Sequence, residues 1–337
     1  TGDIFIEKDD HYFIKDRKKE IYKNASGQTI TPQKIENMLS EFDAIQSAFL
    51  VGDNMDFNTV LIYPDEEYLN THIPKKEPAK IRSAFSALIQ SVNGFLAPYE
   101  RIINYAVIHR DFSAEHDELT QKGTFKRQNI LTNWWAIIKP MYAPNQANIE
   151  SKGKIISFPN WLLKAMNIVA QDISWSGRYL KIGILSRICK CQWQDDSLLL
   201  GEFVYTVNSK NVDLGNILLD PRLWLGNSAL VIFFGDIIFQ LIHYKKSKNV
   251  ELLSRKTSQP ILEGPIQPEL DESVSIEDLH IGTLLLIQTQ KNGLDYFKHV
   301  FDQKDFDLKK IGIQVLISML NDSELKFSRT IFSALIP

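Results

Sequence analysis

The sequence predicts a small mixed α+β domain over residues 1–141, followed by a mainly α-helical region, an irregular bundle or a short α-solenoid. Short strand-like runs bounded by Gly, Asn, Asp or Pro open the chain, with two apolar stripes at helical spacing among them. Beyond the polar stretch 145–154, apolar residues recur mostly at spacings of three and four. With 337 residues, 44% of them apolar and 23% charged, the chain has the make-up of an ordinary globular protein with room for two domains.

In chain order, Tyr12 to Lys15, Ala48 to Val51 and Thr59 to Tyr63 read as strands. A helix between the first two has Thr31 as cap, Pro32 at its first position, and Ile35, Met38 and Leu39 on one face. A second helix, Glu77 to Leu96, carries Ile81, Phe85, Leu88, Val92 and Phe95 as a core-facing stripe. Tyr105 to His109 is a further strand. A polar turn, Asp111 to Glu118, then leads to a last helix, Ile130 to Tyr142, with Ile130, Trp134, Ile137, Ile138 and Met141 inward.

The net charge of −3 excludes strong attraction to nucleic acid, since Lys75-Lys76 and Lys245-Lys246-Ser247-Lys248 are too short to reverse it. Cys189 and Cys191, one residue apart, form no Cys-x-x-Cys pattern and read as reduced thiols of a cytoplasmic protein. The most apolar window, Ala229 to His243, contains Asp236 and falls short of the ~18 apolar residues that mark a spanning helix, so no transmembrane segment is expected.

Three motifs occur in order: Asp16-Arg17-Lys18-Lys19-Glu20-Ile21, Pro32-Gln33-Lys34-Ile35-Glu36-Asn37, and Leu119-Thr120-Gln121-Lys122-Gly123-Thr124-Phe125-Lys126-Arg127, with Thr1-Gly2-Asp3 ahead of them. This series resembles the C-terminal lid domain of adenylate-forming enzymes of the long-chain fatty acyl-CoA synthetase type. The resemblance covers residues 1–141 and stops in a linker at 142–157; residues 158–337 resemble no family and read as a helical accessory domain of unknown role.

The resemblance implies an AMP-forming acid–thiol ligase that uses ATP, Mg2+ and CoA: a carboxylate attacks ATP to give acyl-AMP, and the CoA thiolate then displaces AMP. It also implies a preceding adenylation domain, which would carry the phosphate loop, the acyl tunnel and the Mg2+ site. No Gly-x-x-x-x-Gly-Lys-Ser or Gly-x-Gly-x-x-Gly occurs in the chain, so it is expected to be the inactive tail of a longer enzyme.

By the same resemblance, Asp3 accepts hydrogen bonds from the ribose hydroxyls, Arg17 approaches the nucleotide with a planar fork of donors, and Asp16 is the hinge. Gly27, in Asn24-Ala25-Ser26-Gly27, matches the loop that faces the pantetheine tunnel, and it equally suits a plain turn. The family reads Leu-Thr-Pro-Thr-Leu-Lys-Leu-Lys-Arg at its last motif, and its first lysine bridges the acyl carboxylate and ATP. Here that position is Thr124. Lys122 and Lys126 are the candidate catalytic residues, each displaced by ~6.6 Å along an extended chain, with Lys126 expected on the same side as Thr124. His109 and His116 have no role in a chemistry whose nucleophiles ionise unaided.

In the second half, three helical stripes are expected: Trp161 to Val169, Tyr179 to Cys189, and Leu198 to Val207. A buried helix at Asn227 to Tyr244 and a loop at Ser258 to Val274 follow. Four short helices then close the chain: Ile276 to Thr289, Gly293 to Phe301, Phe306 to Leu320 and Ser323 to Leu335. Trp175, Trp193 and Trp224 with Tyr179 and Tyr205 read as core. Asp195, Asp196, Glu202, Asp213 and Asp220 read as helix ends rather than metal ligands.

Besides the fatty acid ligase, two alternatives stand: an impaired enzyme or scaffold that docks a carrier protein through the helical domain, and an enzyme that delivers its acyl group to a carrier or reductase partner. Thr124 favours the scaffold.

Overall fold

The computed structural model describes residues 3–8, 11–17, 21–73, 75, 77–142, 147–151, 153–207, 209–241, 254–257, 274–288 and 292–320. The chain forms two compact units: Thr1–Asn148 with Phe158–Ser174 and Ile182–Leu185, and Ile149–Ser157 with Trp175–Lys181 and Ser186–Pro337.

The first unit opens with an antiparallel ribbon, β1 (Asp3–Lys8) and β2 (His11–Arg17), which sets Asp3 opposite Arg17. A short hairpin of β3 (Tyr22–Lys23) and β4 (Thr29–Ile30) leads to α1 (Pro32–Ser40). β5 (Ile45–Val51) and β6 (Asn58–Pro64) pair antiparallel, with Leu50 opposite Val60. β6 then pairs in parallel with β7 (Ile102–Val107), Leu61 opposite Ala106. A parallel pair needs a crossover, which α2 (Glu66–His72) and α3 (Pro78–Asn93) supply.

Successive strand residues point to opposite faces. Ala48, Leu50, Val60 and Ile62 therefore join α1 and α3 in one core, which includes Ile35, Leu39, Phe85 and Ile89. Phe49, Val51 and Leu61 join Ile130, Trp134 and Ile138 in the other. That second layer is α4 (Arg127–Asn133) and α5 (Trp135–Met141).

Three expectations need correcting here. Thr31 occupies the cap position of α1, but at φ −107° and ψ 88° its side chain makes no capping hydrogen bond. Phe95 lies beyond the end of α3 and is 78% exposed rather than in the core. The expected helix 130–142 is broken at Trp134, which leaves helical dihedrals while its buried indole is held by Glu118.

Residues 158–174 pack within this same unit. α6 (Asn160–Met166) ends at Asn167 in the left-handed conformation, φ 55°, and a single tight turn follows at Ala170–Asp172. Val169 is buried in the core shared by α1 and α3.

The second unit is richer in strands than its sequence suggests. β8 (Ala147–Ser151), β9 (Lys154–Phe158) and a later strand, Asn211–Asp213, form a three-stranded sheet with β9 central. β10 (Ile173–Trp175), β11 (Tyr179–Ile182), β12 (Arg187–Gln194), β13 (Ser197–Leu200) and β14 (Phe203–Thr206) form five strands of a six-stranded sheet. With Asn211–Asp213 as β15, the sixth strand is β16 (Ser254–Thr257), paired with β14.

The helical stripes expected at Tyr179 to Cys189 and Leu198 to Val207 are thus strands and turns. The period of two prevails: Cys189 and Cys191 are buried, while Ile188 before them is 58% exposed and Lys190 between them is exposed. Two-residue turns, Asp195-Asp196 and Gly201-Glu202, fold the run into hairpins with Gln194 opposite Ser197 and Leu200 opposite Phe203.

Helices take over after β15. α7 (Leu214–Leu218) and α8 (Pro221–Trp224) are short. The expected helix at 227–244 is two pieces, α9 (Ser228–Phe234) and α10 (Ile237–Gln240), parted at Gly235; residues 242–244 lie outside the described residues. α11 (Ile276–Ile287), α12 (Gly293–Asp302) and α13 (Phe306–Leu320) match three of the four helices read from the sequence. The fourth, Ser323 to Leu335, lies outside the described residues, as does nearly all of the 258–274 loop. Among the described residues no helix is long and apolar enough to cross a membrane.

Candidate functional site

The last motif forms a tight hairpin. Leu119 pairs with Phe125, Thr120 N–H donates to Thr124 O at 2.8 Å, and Gly123 supplies the left-handed residue of the turn at φ 77°. The Thr120 and Thr124 hydroxyls are 2.7 Å apart, so Thr124 is engaged within the hairpin. Lys122 stands exposed at the tip, and its backbone N–H is held by the Thr120 hydroxyl at 3.3 Å.

Lys126 occupies the position ahead of α4 without a capping side-chain hydrogen bond, and its N–H donates to Glu118 O at 2.7 Å. Its ammonium contacts the Asp117 carboxylate. Asp117 adopts φ 57°, a conformation Asp tolerates better than most residues. The Asn129 amide donates to both its carboxylate, at 2.7 Å, and its carbonyl, at 2.8 Å.

Beneath this hairpin, five donors converge on the buried Glu118 carboxylate. Arg110 donates twice (2.7 and 2.8 Å), Trp134 Nε1 at 2.9 Å, and Asn133 Nδ2 and Ser113 N at 3.2 Å each. The Arg110 guanidinium also lies 4.6 Å from the centre of the Trp134 ring. Burial alone would push the Glu118 pKa up; the bonds from Arg110, Asn133 and Ser113 outweigh it and hold the carboxyl down at about 2.

A second node joins two motifs. Arg127 donates to the Glu36 carboxylate at 2.7 and 3.2 Å and to Leu50 O at 2.9 Å, and covers the Phe49 ring at 4.5 Å. Glu36 also accepts Leu50 N–H at 2.7 Å. These two motif residues thus tie α1, β5 and α4 together.

A cleft of about 530 Å³ opens beside α4. Lys126 and Arg127 line it, with Tyr22, Gly52, Met55 and Trp135 among its walls. Thr124 instead lines a smaller hollow of about 300 Å³ with Glu36 and Ser47. The expectation that Lys126 lies on the same side as Thr124 is therefore corrected. The segment is a hairpin running into a helix, so the alternation of an extended strand does not apply.

Gly27 takes φ 78° in the β3–β4 turn, where Asn24 Oδ1 accepts Ser26 N–H at 3.1 Å and Gln28 N–H at 2.9 Å. Space around its Cα is open: an added Cβ would meet nothing within 4 Å. Asp3, Asp16 and Arg17 lie on β1 and β2, Asp16 opposite Ile4, and their side chains lie outside the described residues. His109 packs on the Trp134 ring, and His116 Nδ1 is 2.7 Å from the Ser113 hydroxyl; both are exposed.

In the second unit, Trp224 and Tyr205 are core residues, each donating to a backbone carbonyl (Leu218 at 2.9 Å, Leu223 at 2.8 Å). Asp213 and Asp220 cap α7 and α8, and Glu202 accepts Ser228 N–H at 3.0 Å. Cys189 and Cys191 are free and buried; burial pushes the Cys189 thiol up to about 12 and raises Cys191 as well, which leaves both unreactive. Among the described residues no three His, Cys, Asp or Glu side chains stand together as a metal site.

No pattern in the sequence marks Asp117, Glu118, Arg110 or the Glu36–Arg127 pair as parts of the site. Glu36 and Arg127 do lie in the motifs, but their pairing across the chain has no local signal.

The family model described as the AMP-binding enzyme C-terminal domain matches residues 20–146. A Mycobacterium tuberculosis protein bearing the name of a fatty-acid–CoA ligase is 28% identical over 155 residues, 42% of this chain and 27% of its own. The rat long-chain-fatty-acid–CoA ligase 5 is 29% identical over 142 residues, 38% of this chain and 21% of its own. Among solved structures, the adenylation domain of a Mycobacterium chelonae carboxylate reductase aligns over 42% of this chain and 23% of its own, at 22% identity and a TM-score of 0.39. The chain spans roughly a quarter of the length of the curated relatives it matches. Residues 20–146 are a C-terminal domain of the adenylate-forming enzymes, related to that of the fatty-acid–CoA ligases.

Proposed function

We propose that this chain works as the lid of an AMP-forming fatty-acid–CoA ligase, acting with an adenylation domain and carrying a further region, beyond residue 150, that serves as an accessory or docking module. The observation that supports it most is the cleft beside α4, where a lysine of the last motif lines apolar walls next to an exposed tryptophan. When bound, ATP supplies the adenylyl group and CoA the acceptor thiol.

The residues present fit such phosphate-bearing groups in one respect. Lys126 lines the cleft and, among the described residues, pairs through its ammonium with a surface carboxylate alone, a pairing weak enough to exchange for a phosphate or carboxylate oxygen. Arg127 is committed to Glu36 and stays structural. Lys126 is therefore the cation proposed to meet negative charge developing on the reacting oxygens, and Lys122, exposed at the hairpin tip, is the second candidate. Gly27, with open space around it, would let pantetheine pass close to the backbone. Asp3 and Arg17 are proposed to contact the ribose and nucleotide, and Asp16 to act as the hinge.

The impaired or scaffold reading draws on Thr124, whose hydroxyl is satisfied inside the hairpin. Mass-spectrometric detection of acyl-AMP and acyl-CoA decides between them, using the protein at its full natural length with ATP, magnesium, CoA and a panel of fatty acids. Both products are expected from the full-length protein and neither from residues 1–337 alone. Lys126→Ala is expected to slow adenylation by about 10²- to 10³-fold, as loss of a charge-stabilising group commonly does. Full activity in that variant transfers the role to Lys122, and no acyl-AMP from the full-length protein leaves the docking reading.

A further inference from the structure

The loop at residues 52–57 is held from two sides. On one side it meets the β3–β4 hairpin: Ala25 N–H donates to Met55 O at 2.9 Å, and Asn54 N–H to Lys23 O at 2.8 Å. On the other, Lys164 of α6 donates its ammonium to Asp56 O at 2.7 Å and stands 6.0 Å from the centre of the Phe57 ring. Gly52, Asp53 and Met55 of this loop form one wall of the cleft that Lys126 lines.

Lys164 lies outside the stretch that matches the family domain, yet its helix is seated firmly in the first unit. Arg101 donates to Lys164 O at 2.7 Å, Gln90 to Asn167 O at 3.3 Å, and Gln171 to Tyr105 O at 2.6 Å. Val169 is buried 2% exposed in the core. Burial lowers the Lys164 pKa, with the nearby Asp56 working against that shift, as expected for an ammonium drawn out of water onto a carbonyl and a ring.

We infer that residues 158–174 form a clasp on this domain, and that Lys164 is a positioning residue that fixes the 52–57 loop and, through it, the Gly27 turn and one wall of the Lys126 cleft. The geometry stands by itself; its consequence for the thioester-forming step rests on the proposed function. An ammonium suits the task because it donates strongly to one carbonyl while its stem covers the aromatic ring.

Residue-resolved amide hydrogen exchange on the intact chain tests it, with Lys164→Met to keep the stem and Lys164→Arg to keep the cation. In Lys164→Met the Ala25 and Asn54 amides are expected to exchange about tenfold faster, the scale of one lost charge-assisted bond. The Leu50 amide, held by Glu36, is expected to keep its protection, and Lys164→Arg to restore most of that of Ala25 and Asn54. Unchanged exchange at Ala25 and Asn54 overturns the inference. So does an equal rise at Leu50, which would mean general loosening, or equal loss of protection in the Arg variant.

In the full-length protein, Lys164→Met is further expected to slow acyl-CoA formation severalfold. If exchange responds as stated while no form of the protein makes a thioester, the clasp stands and the ligase reading falls.

Discussion

Around Glu118, five donors converge on one carboxylate, and both its oxygens are engaged. The 158–174 clasp is also polar where it meets the rest of the first unit, but Arg101 Nε, Asn160 Oδ1, Asn167 Oδ1 and Gln171 Oε1 are buried there without a hydrogen-bond partner among the described residues. A closed network stabilises because no member bears an uncompensated desolvation cost; an open one gives part of its gain back. The hairpin that carries Lys122 and Lys126 is therefore built on the rigid node, and the 52–57 loop is braced by the weaker one. In native-state exchange the clasp should open before the hairpin does.

The largest expected effect comes from breaking the closed node. Glu118→Ala leaves the Trp134 indole N–H and the Ser113 amide without their acceptor and the Arg110 guanidinium with the Asp111 carbonyl in place of a carboxylate. A loss of about 3–5 kcal/mol is expected in urea unfolding, the scale reached when several donors lose one buried acceptor together. Acid should act on the same group. Its folded pKa, about 2, lies below the ordinary 4.5, so its stabilisation is fully present above about 4.5 and is lost as pH falls toward about 2. The urea midpoint should drop across that window, and Glu118→Gln should flatten the part of the drop that this carboxyl contributes.

Glu36→Gln probes a node of intermediate kind. It keeps an oxygen for Leu50 N–H but removes the charge that Arg127 meets with two bonds. About 2 kcal/mol is expected, the scale of hydrogen bonds to charged groups. A value near that of Glu118→Ala would mean the two nodes are equally closed and would weaken the comparison.

The sheet and its two faces were legible in the sequence, since Ala48 to Val51 and Thr59 to Tyr63 alternate between two cores. The site was legible only as motifs. Arg127 and Glu36 are 91 residues apart, and nothing local announces that the motif arginine is a strut while the lysine beside it meets only a surface carboxylate among the described residues. The strands at 187–206 do carry a local signal: Asp195-Asp196 and Gly201-Glu202, set between apolar runs, are two-residue turns that the helical spacing of the same apolar residues masks. The clasp had no comparable signal, because a short amphipathic segment after a polar stretch looks the same whichever unit it packs with.

The smallest effect is expected at Gln171→Ala, within the clasp. The side chain donates to Tyr105 O and to the Asn104 side chain, which argues for a loss near that of an ordinary buried hydrogen bond, about 1 kcal/mol. Its own oxygen, however, is buried without a partner among the described residues, and removing it returns part of that cost. A net loss of about 0.5 kcal/mol or less in urea unfolding is therefore expected, together with faster exchange confined to residues 158–174 and the amides they cover. A loss of about 2 kcal/mol or more would mean that the clasp is as tightly closed as the Glu118 node. Lys164 would then brace the 52–57 loop from a support as rigid as the one beneath the Lys126 hairpin.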